Sequence, residues 1–370
     1  MGSKIIGVDL RCLPADGSAG GGIAHAARAI AAELEQRLGT RLIRYDVHGN
    51  RHALIRAIKE RPCDLLFVPS GAVSPGLPVP AIPWVHDLDI FDHPEWFPQS
   101  WVKRTLTTHF FLQGIRRAPH VFAVSEYTKQ AMIRHARIPA HRVTVTSEGG
   151  DDVLASIPRD QLAERKREAV QRLASLGITR RFALVLGTLE PRKNIAMLCR
   201  VWPEVVRQVP DVDLVIAGQD GWKTMAIHEA IRACPSTILL QKPHHNGRTP
   251  FTESDRRDLL LAASLVCVPS FSEGFGLVAL EATQAGTPVL ASRRGALPEV
   301  LGEGSWLLEP EDREGWREKV TQVLSDGALS RTMIDQQAAR NASFSWRQTA
   351  HHILEVLDEK HNLPYHPHKV

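Results

Sequence analysis

No apolar run in this chain approaches the ~20 residues needed to cross a bilayer, so any membrane contact would be peripheral. Cysteine is scarce. Cys12, Cys63, Cys199, Cys234 and Cys267 are odd in number, far apart and without a CxxC pair. This argues against a disulfide framework or a zinc site and suggests reduced thiols in a cytosolic protein. A strong excess of one charge is also missing. A net charge of +4 dispersed over 370 residues is too small for a nucleic-acid-binding surface, so no nucleic-acid partner is expected. There is no short-period repeat and no low-complexity tract. No strand-linked GxGxxG with a downstream ribose-binding acid occurs, which argues against a dehydrogenase. The chain opens almost at once on a strand-like run, Ile5 to Leu10, so no signal peptide is expected.

What is present fits a soluble globular protein, with 43% hydrophobic and 23% charged residues. The length favours two domains over one core. Short apolar runs alternate with helical patterns in both halves, which predicts parallel sheets covered on both faces. The charged helical segment from Asp160 to Thr179 reads as the link between them. The expected organisation is a first domain over 1–165, a second over 166–345, then 346–370 as a helix and tail. That helix is expected to pack back toward the first domain, and the tail from His361 to Val370 to be loosely ordered.

The densest signal is SEGFGLVALEA, Ser272 to Ala282, after the apolar run LVCVPS. Leu265 to Val268 reads as a buried strand, and from about Leu277 the apolar spacing becomes helical. Glu273 therefore lies in a turn beside Gly274 and Gly276, and Glu281 lies eight positions on, in the helix. Glycines let backbone approach a ligand, and the first amides of a helix suit an anion. Carboxylates beside an anion site suit a ligand bearing hydroxyls and phosphate together, such as a nucleotide sugar.

A second stretch, GTLEPRKN from Gly187 to Asn194, also follows a strand. Arg192 and Lys193 are expected to open the next helix, where two cations oppose the helix dipole unless an anion lies between them. A diphosphate would supply it, with Arg as a fork and Lys as a point charge.

The combination of SEGFGLVALEATQAGTPVLAS, GALPEV, GTLEPRKN and LVIAG resembles the donor-binding half of glycosyltransferase family 4 over about 110 residues. The first half resembles it through DLRCLP…GGGIA, PWVHDLDIF and VSEYTK. The resemblance implies an α/β protein of the GT-B type: two doubly wound Rossmann-like domains facing across a cleft, the first binding acceptor and the second donor. Glu281 would hold the ribose diol and Glu273 hydroxyls of the transferred sugar. Backbone around Phe275, Gly276 and Leu277 would contact sugar and phosphate, and Gly187, Thr188, Gly274 and Gly22 would line the donor site. Arg192, Lys193, Glu273 and His86 are the residues the resemblance implies in catalysis, with His86 near the donor sugar; the adjacent Asp87 is expected to orient its ring. Thr188 stands where the family usually has an arginine, and His25-Ala26 where many relatives have Arg-Tyr.

The implied reaction is retaining transfer of a hexose from a nucleotide diphosphate sugar, which is a substrate, so no cofactor is expected. No metal is expected either: Asp87-Leu88-Asp89 only superficially resembles a metal-binding Asp-x-Asp, and cations can take its electrostatic part. The form of GTLEPRKN resembles mannosyltransferases of bacterial surface polysaccharide assembly. That implies GDP-mannose as donor and a glycan or polyprenyl-linked acceptor, with UDP- or dTDP-sugars as alternatives. A silent nucleotide-sugar-binding protein is the remaining alternative. The basic, aromatic helix over 99–117 could rest on an anionic membrane, placing a cytoplasmic enzyme at the inner face of the cell membrane.

Overall fold

The computed structural model describes residues 4–15, 21–47, 50–241, 252–303 and 306–361. The chain divides into two compact units, Met1–Pro94 with Gln99–Gly149 and Phe344–Val370, and Glu95–Pro98 with Gly150–Ser343. Of the glycine-rich loop expected from Gly17 to Gly22, residues 17–20 lie outside the described residues, as does the tail beyond 361.

The first unit runs β1 (Ile6–Asp9), α1 (Gly22–Leu38), β2 (Leu42–Tyr45), α2 (Arg51–Glu60), β3 (Leu65–Val68) and β4 (Ala81–Val85). A short α3 (Asp89–Asp92) follows, then α4 (Trp101–Arg117), β5 (Val121–Ala123), α5 (Glu126–Ala136) and β6 (Val143–Val145). The six strands pair in the order β2-β1-β3-β4-β5-β6, all parallel. Strands β1, β3, β4 and β5 are buried at every position, as expected of a parallel sheet covered on both faces. Ser125 starts α5 by accepting the Thr128 amide, so VSEYTK is a strand end and a helix cap.

The second unit begins with α6 (Asp152–Ala155) and α7 (Leu162–Ala174). It continues with β7 (Arg181–Leu186), α8 (Ile195–Gln208), β8 (Val212–Ala217), α9 (Met225–Ala233), β9 (Thr237–Leu240) and α10 (Glu253–Ala262). It closes with β10 (Leu265–Val268), α11 (Leu277–Gln284), β11 (Val289–Ser292), α12 (Leu297–Leu301), β12 (Leu307–Leu308), α13 (Arg313–Ser325) and α14 (Gly327–Ala338). Its sheet order, β12-β11-β10-β7-β8-β9, is that of a Rossmann fold.

The period of two along the strands builds both layers. Ala183, Val185, Leu214 and Ile216 pack with α8 and α13, while Phe182, Leu184, Val215 and Ala217 pack with α7 and α10. The segment over 160–179 is therefore not a free link. Ala169 and Leu173 of α7 are buried in that second layer, and Arg172 forks onto Asp258 of α10 at 2.7 Å through both Nε and Nη2. Finally α15 (Trp346–His361) returns to the first unit. There it packs on α1 with Trp346, Ile353 and Leu354 buried.

Candidate active site

In the second unit the strand order reverses between β10 and β7. Open α/β sheets bind ligands beyond the carboxyl ends of their strands at such a point. Both singled-out motifs leave the sheet there. After β7 the chain turns at Gly187 (φ 136°), and a Cβ on the facing Gly218 would sit 1.8 Å from the Gly187 carbonyl oxygen, so the turns after β7 and β8 abut. After β10 the turn ends at Gly276 (φ 103°), the N-cap of α11, where an added Cβ would meet Leu297 Cδ2 at 2.8 Å.

Arg192 and Lys193 do not open α8. They occupy the 3₁₀ turn Pro191–Lys193, and Asn194 at φ 53° separates that turn from the helix. The expected conflict with the helix dipole is thus replaced by direct pairing with carboxylates. Lys193 Nζ donates to Glu273 Oε1 at 2.6 Å, and Arg192 Nη1 donates to Glu273 Oε2 at 3.0 Å. Arg192 also donates through Nη1 to the Ser272 carbonyl at 2.8 Å and reaches Glu190 Oε1 at 2.7 Å through Nη2. Ser270 Oγ adds a bond to Glu273 Oε1 at 2.7 Å, and the Phe271 amide donates to the Arg192 carbonyl at 2.8 Å.

The result is two cations balanced by two buried carboxylates, knitting the turn after β7 to the turn after β10. Burial alone would push the Glu273 carboxyl up. Lys193 and Arg192, with bonds from Lys193 and Ser270, outweigh it and bring the value down to about 2. Glu273 is therefore ionised at any physiological pH. Glu190 and Ser270 were missed in the sequence, although both lie inside the quoted motifs.

Glu281 belongs to a different cluster. It lies on α11, 2% exposed, and its Oε2 accepts from Arg256 Nη1 of α10. Arg256 also reaches Asp151 Oδ2 at 2.9 Å and Glu253 Oε2 at 2.8 Å, and Arg257 Nε donates to Asp151 Oδ2 at 2.7 Å. Burial raises the Glu281 carboxyl to about 7; Arg256 opposes this, while Asp151 and Glu253 add to it. Glu273 and Glu281 thus differ in state: the first is held ionised, and the second is raised to near neutrality. Neither Arg256 nor Asp151 was singled out in the sequence.

The other residues of this unit that the sequence suggested for donor binding sit in the same two turns. Thr188 follows Gly187, with its Cγ2 against Gly221, and Gly274 and Phe275 are buried between Glu273 and Gly276. Leu277 is the first residue of α11.

His86 and Gly22 lie in the first unit. Gly22 begins α1, exposed, behind the N-cap Gly21. His86 follows β4, buried, with Nδ1 2.6 Å from Glu148 Oε1 and Nε2 2.6 Å from the Pro69 carbonyl. The expectation that Asp87 orients the ring is corrected: Glu148, 62 residues away in sequence, holds it. Burial pulls the imidazole value down, but the bond and charge of Glu148, the Pro69 carbonyl and the charge of Asp87 together raise it. Among the described residues no group of three or more His, Cys, Asp or Glu side chains could hold a metal ion. No described helix is long and apolar enough to cross a membrane.

Solved structures share this architecture. HepE of Anabaena in complex with UDP and glucose aligns with a TM-score of 0.72 at 19% identity, covering 97% of this chain and all of that one. The lipopolysaccharide glycosyltransferase WaaG aligns with a TM-score of 0.68 at 17% identity over 94% of this chain and 98% of its own. The fold is GT-B. The sequence model described as Glycosyltransferase Family 4 matches residues 18–152, and that described as Glycosyl transferases group 1 matches 172–340. The chain belongs to glycosyltransferase family 4 and is a glycosyltransferase.

Among curated relatives, O-antigen chain mannosyltransferase B of Escherichia coli is 28% identical over 272 residues, 72% of this chain and 67% of that protein. The serotype-specific mannosyltransferase WbdA of Escherichia coli is 29% identical over 250 residues, 66% of this chain but only 29% of its own length. D-inositol 3-phosphate glycosyltransferase of Corynebacterium glutamicum is 29% identical over 237 residues, 62% of this chain and 54% of its own.

Proposed function

We propose that this enzyme transfers mannose from GDP-mannose, with retention of configuration, onto a hydroxyl of a glycan or lipid-linked oligosaccharide. The observation that carries the reading is the Arg192–Lys193–Glu273 cluster at the switch point of a Rossmann sheet. An ammonium carries three donors and Glu273 uses one of them, so Lys193 retains capacity to meet a diphosphate oxygen. In this reading Lys193 and Arg192 stabilise the charge that builds on the leaving diphosphate, which is where preorganised donors accelerate a transfer most. Glu273 fixes the cations and meets sugar hydroxyls, and Glu281 accepts from the ribose diol. The backbone of Gly187, Thr188 and Gly274 to Leu277 approaches the phosphates and sugar. The leaving phosphate takes the acceptor's proton in a front-face attack, and no metal is required because the two cations carry its electrostatic part.

The mannose assignment draws on the mannosyltransferase relatives. A UDP-sugar is the rival donor, favoured by the UDP-bound neighbour. A thermal-shift series with GDP, UDP, dTDP and ADP separates them, since a ligand that binds only the folded state stabilises as the logarithm of its concentration over Kd. The largest shift with GDP supports the reading; a larger one with UDP overturns the donor. We place the enzyme in the cytoplasm, with α4 (Lys103, Arg104, Arg116 and Arg117, exposed Leu106 and Phe110) resting on an anionic membrane face. Flotation with phosphatidylglycerol vesicles but not phosphatidylcholine vesicles is the expected outcome.

A further inference from the structure

His86 is held at both ring nitrogens, and the partners decide its protonation. The Pro69 carbonyl can only accept, so Nε2, 2.6 Å away, carries a proton. Nδ1 faces the Glu148 carboxylate at 2.6 Å, and a carboxylate also only accepts. We propose that Glu148 is a positioning residue that holds His86 as a permanent imidazolium, a fixed double donor that clasps the strand ends of the first unit and takes no part in proton transfer.

The surroundings fit a clasp. Pro69 directly follows β3, His86 follows β4, and Glu148 lies just past β6, so one ring ties three chain segments at the carboxyl edge of the sheet. The His86 carbonyl accepts from Thr128 Oγ1 at 3.0 Å, and Thr128 is bonded to the cap residue Ser125, which brings in the start of α5. Trp84 lies with its ring centroid 5.0 Å from that of His86 and donates through Nε1 to the Thr146 carbonyl at 3.2 Å, bracing the same segment. The charged groups acting on the ring, Glu148 and Asp87, are both acidic and both favour the charged form. A ring with both nitrogens engaged inside its own unit has no lone pair left to receive a proton, so the proton chemistry of transfer falls to other groups.

The test is NMR of the full-length protein labelled with 15N and 13C at histidine, His86 being assigned by its loss in His86→Gln. At pH 7.5 the wild-type His86 nitrogens are expected at imidazolium shifts with both protons bound. In Glu148→Gln, which keeps the shape but removes the charge, the same resonance should move to neutral-imidazole shifts at pH 7.5. Glu148→Asp should restore the imidazolium at least in part. Neutral-imidazole shifts for wild-type His86, with the proton on Glu148, would overturn the proposal. So would a Glu148→Gln variant, folded by its amide spectrum, whose His86 titrates as in wild type.

Discussion

Lys193 and Glu273 are 80 residues apart in sequence, yet Nζ and Oε1 lie at 2.6 Å, joining the turn after β7 to the turn after β10. The pair sets both the charge of the site and its shape. Glu273 is 7% exposed and ionised, so its presence depends on the cations, and their fixed aim depends on it. A buried carboxylate without such partners would protonate instead.

Loss of the Lys193 charge should act on turnover. Lys193→Met is expected to lower kcat by ~100-fold, the scale for removing one preorganised donor from a developing anion. Steady-state kinetics with the donor that gives the largest thermal shift would check this. A variant with wild-type kcat and only a raised KM would show that Lys193 binds donor without favouring the transition state.

Glu281 should make stability fall as pH rises. Its carboxyl is raised from 4.5 to about 7, so between those values the folded protein holds a proton that the unfolded chain has lost. By linkage the contribution is fully present below pH 4.5 and lost as pH rises through 7, at most about 3 kcal/mol for a shift of this size. Urea unfolding of wild type and Glu281→Gln at pH 5 and pH 7.5 isolates it. The wild type should lose stability relative to the variant on going to the higher pH.

Arg256 is the cation that Glu281, Asp151 and Glu253 share. Arg256→Met removes one partner of a buried pair and leaves carboxylates facing each other, which costs about 3–5 kcal/mol. Arg256→Lys should recover part of the loss, because it restores charge but not the fork. Unfolding midpoints of the two variants decide it, and equal midpoints would show that the charge is immaterial.

Gly276→Ala should be costly on backbone grounds alone, before any ligand is bound. The residue must hold φ 103°, and its Cβ would press on Leu297 at 2.8 Å. Backbone strain of this kind costs of the order of 1–3 kcal/mol. A matched drop in thermal midpoint and in nucleotide-induced shift is expected, since the strain falls on the first turn of α11.

The parts of this architecture legible in the sequence were those encoded locally. Continuous apolar runs of four to six residues became β7, β8 and β10, and the glycines of GTLEPRKN and SEGFGLVALEA sit at the turns their spacing implied. The pairings were not legible. Nothing near Glu281 in sequence points to Arg256 or Asp151, which are 25 and 130 positions away, because a charged residue looks the same on a solvated face as in a buried fork. Helix α7 misled for a related reason: LAERKREAVQRLA buries only Ala169 and Leu173, a stripe too thin to outweigh its charges. Asp87 was the nearest acid to His86 along the chain, but Glu148 is the nearer partner in space.

The return of α15 to the first unit has a consequence for how the protein is made. Gly150–Ser343 is nearly all of the second unit, uninterrupted, whereas the first unit needs Phe344 onward to be complete. Trp346 is 2% exposed against Gly149, where even a Cβ would come within 2.4 Å of the Trp346 backbone nitrogen. That seat stays empty during synthesis until the residues from Phe344 onward have been made. Domains usually mature in the order they are translated. Here the half that starts first is finished last, and a nascent chain stalled before Trp346 exposes an unfilled core to chaperones and proteases.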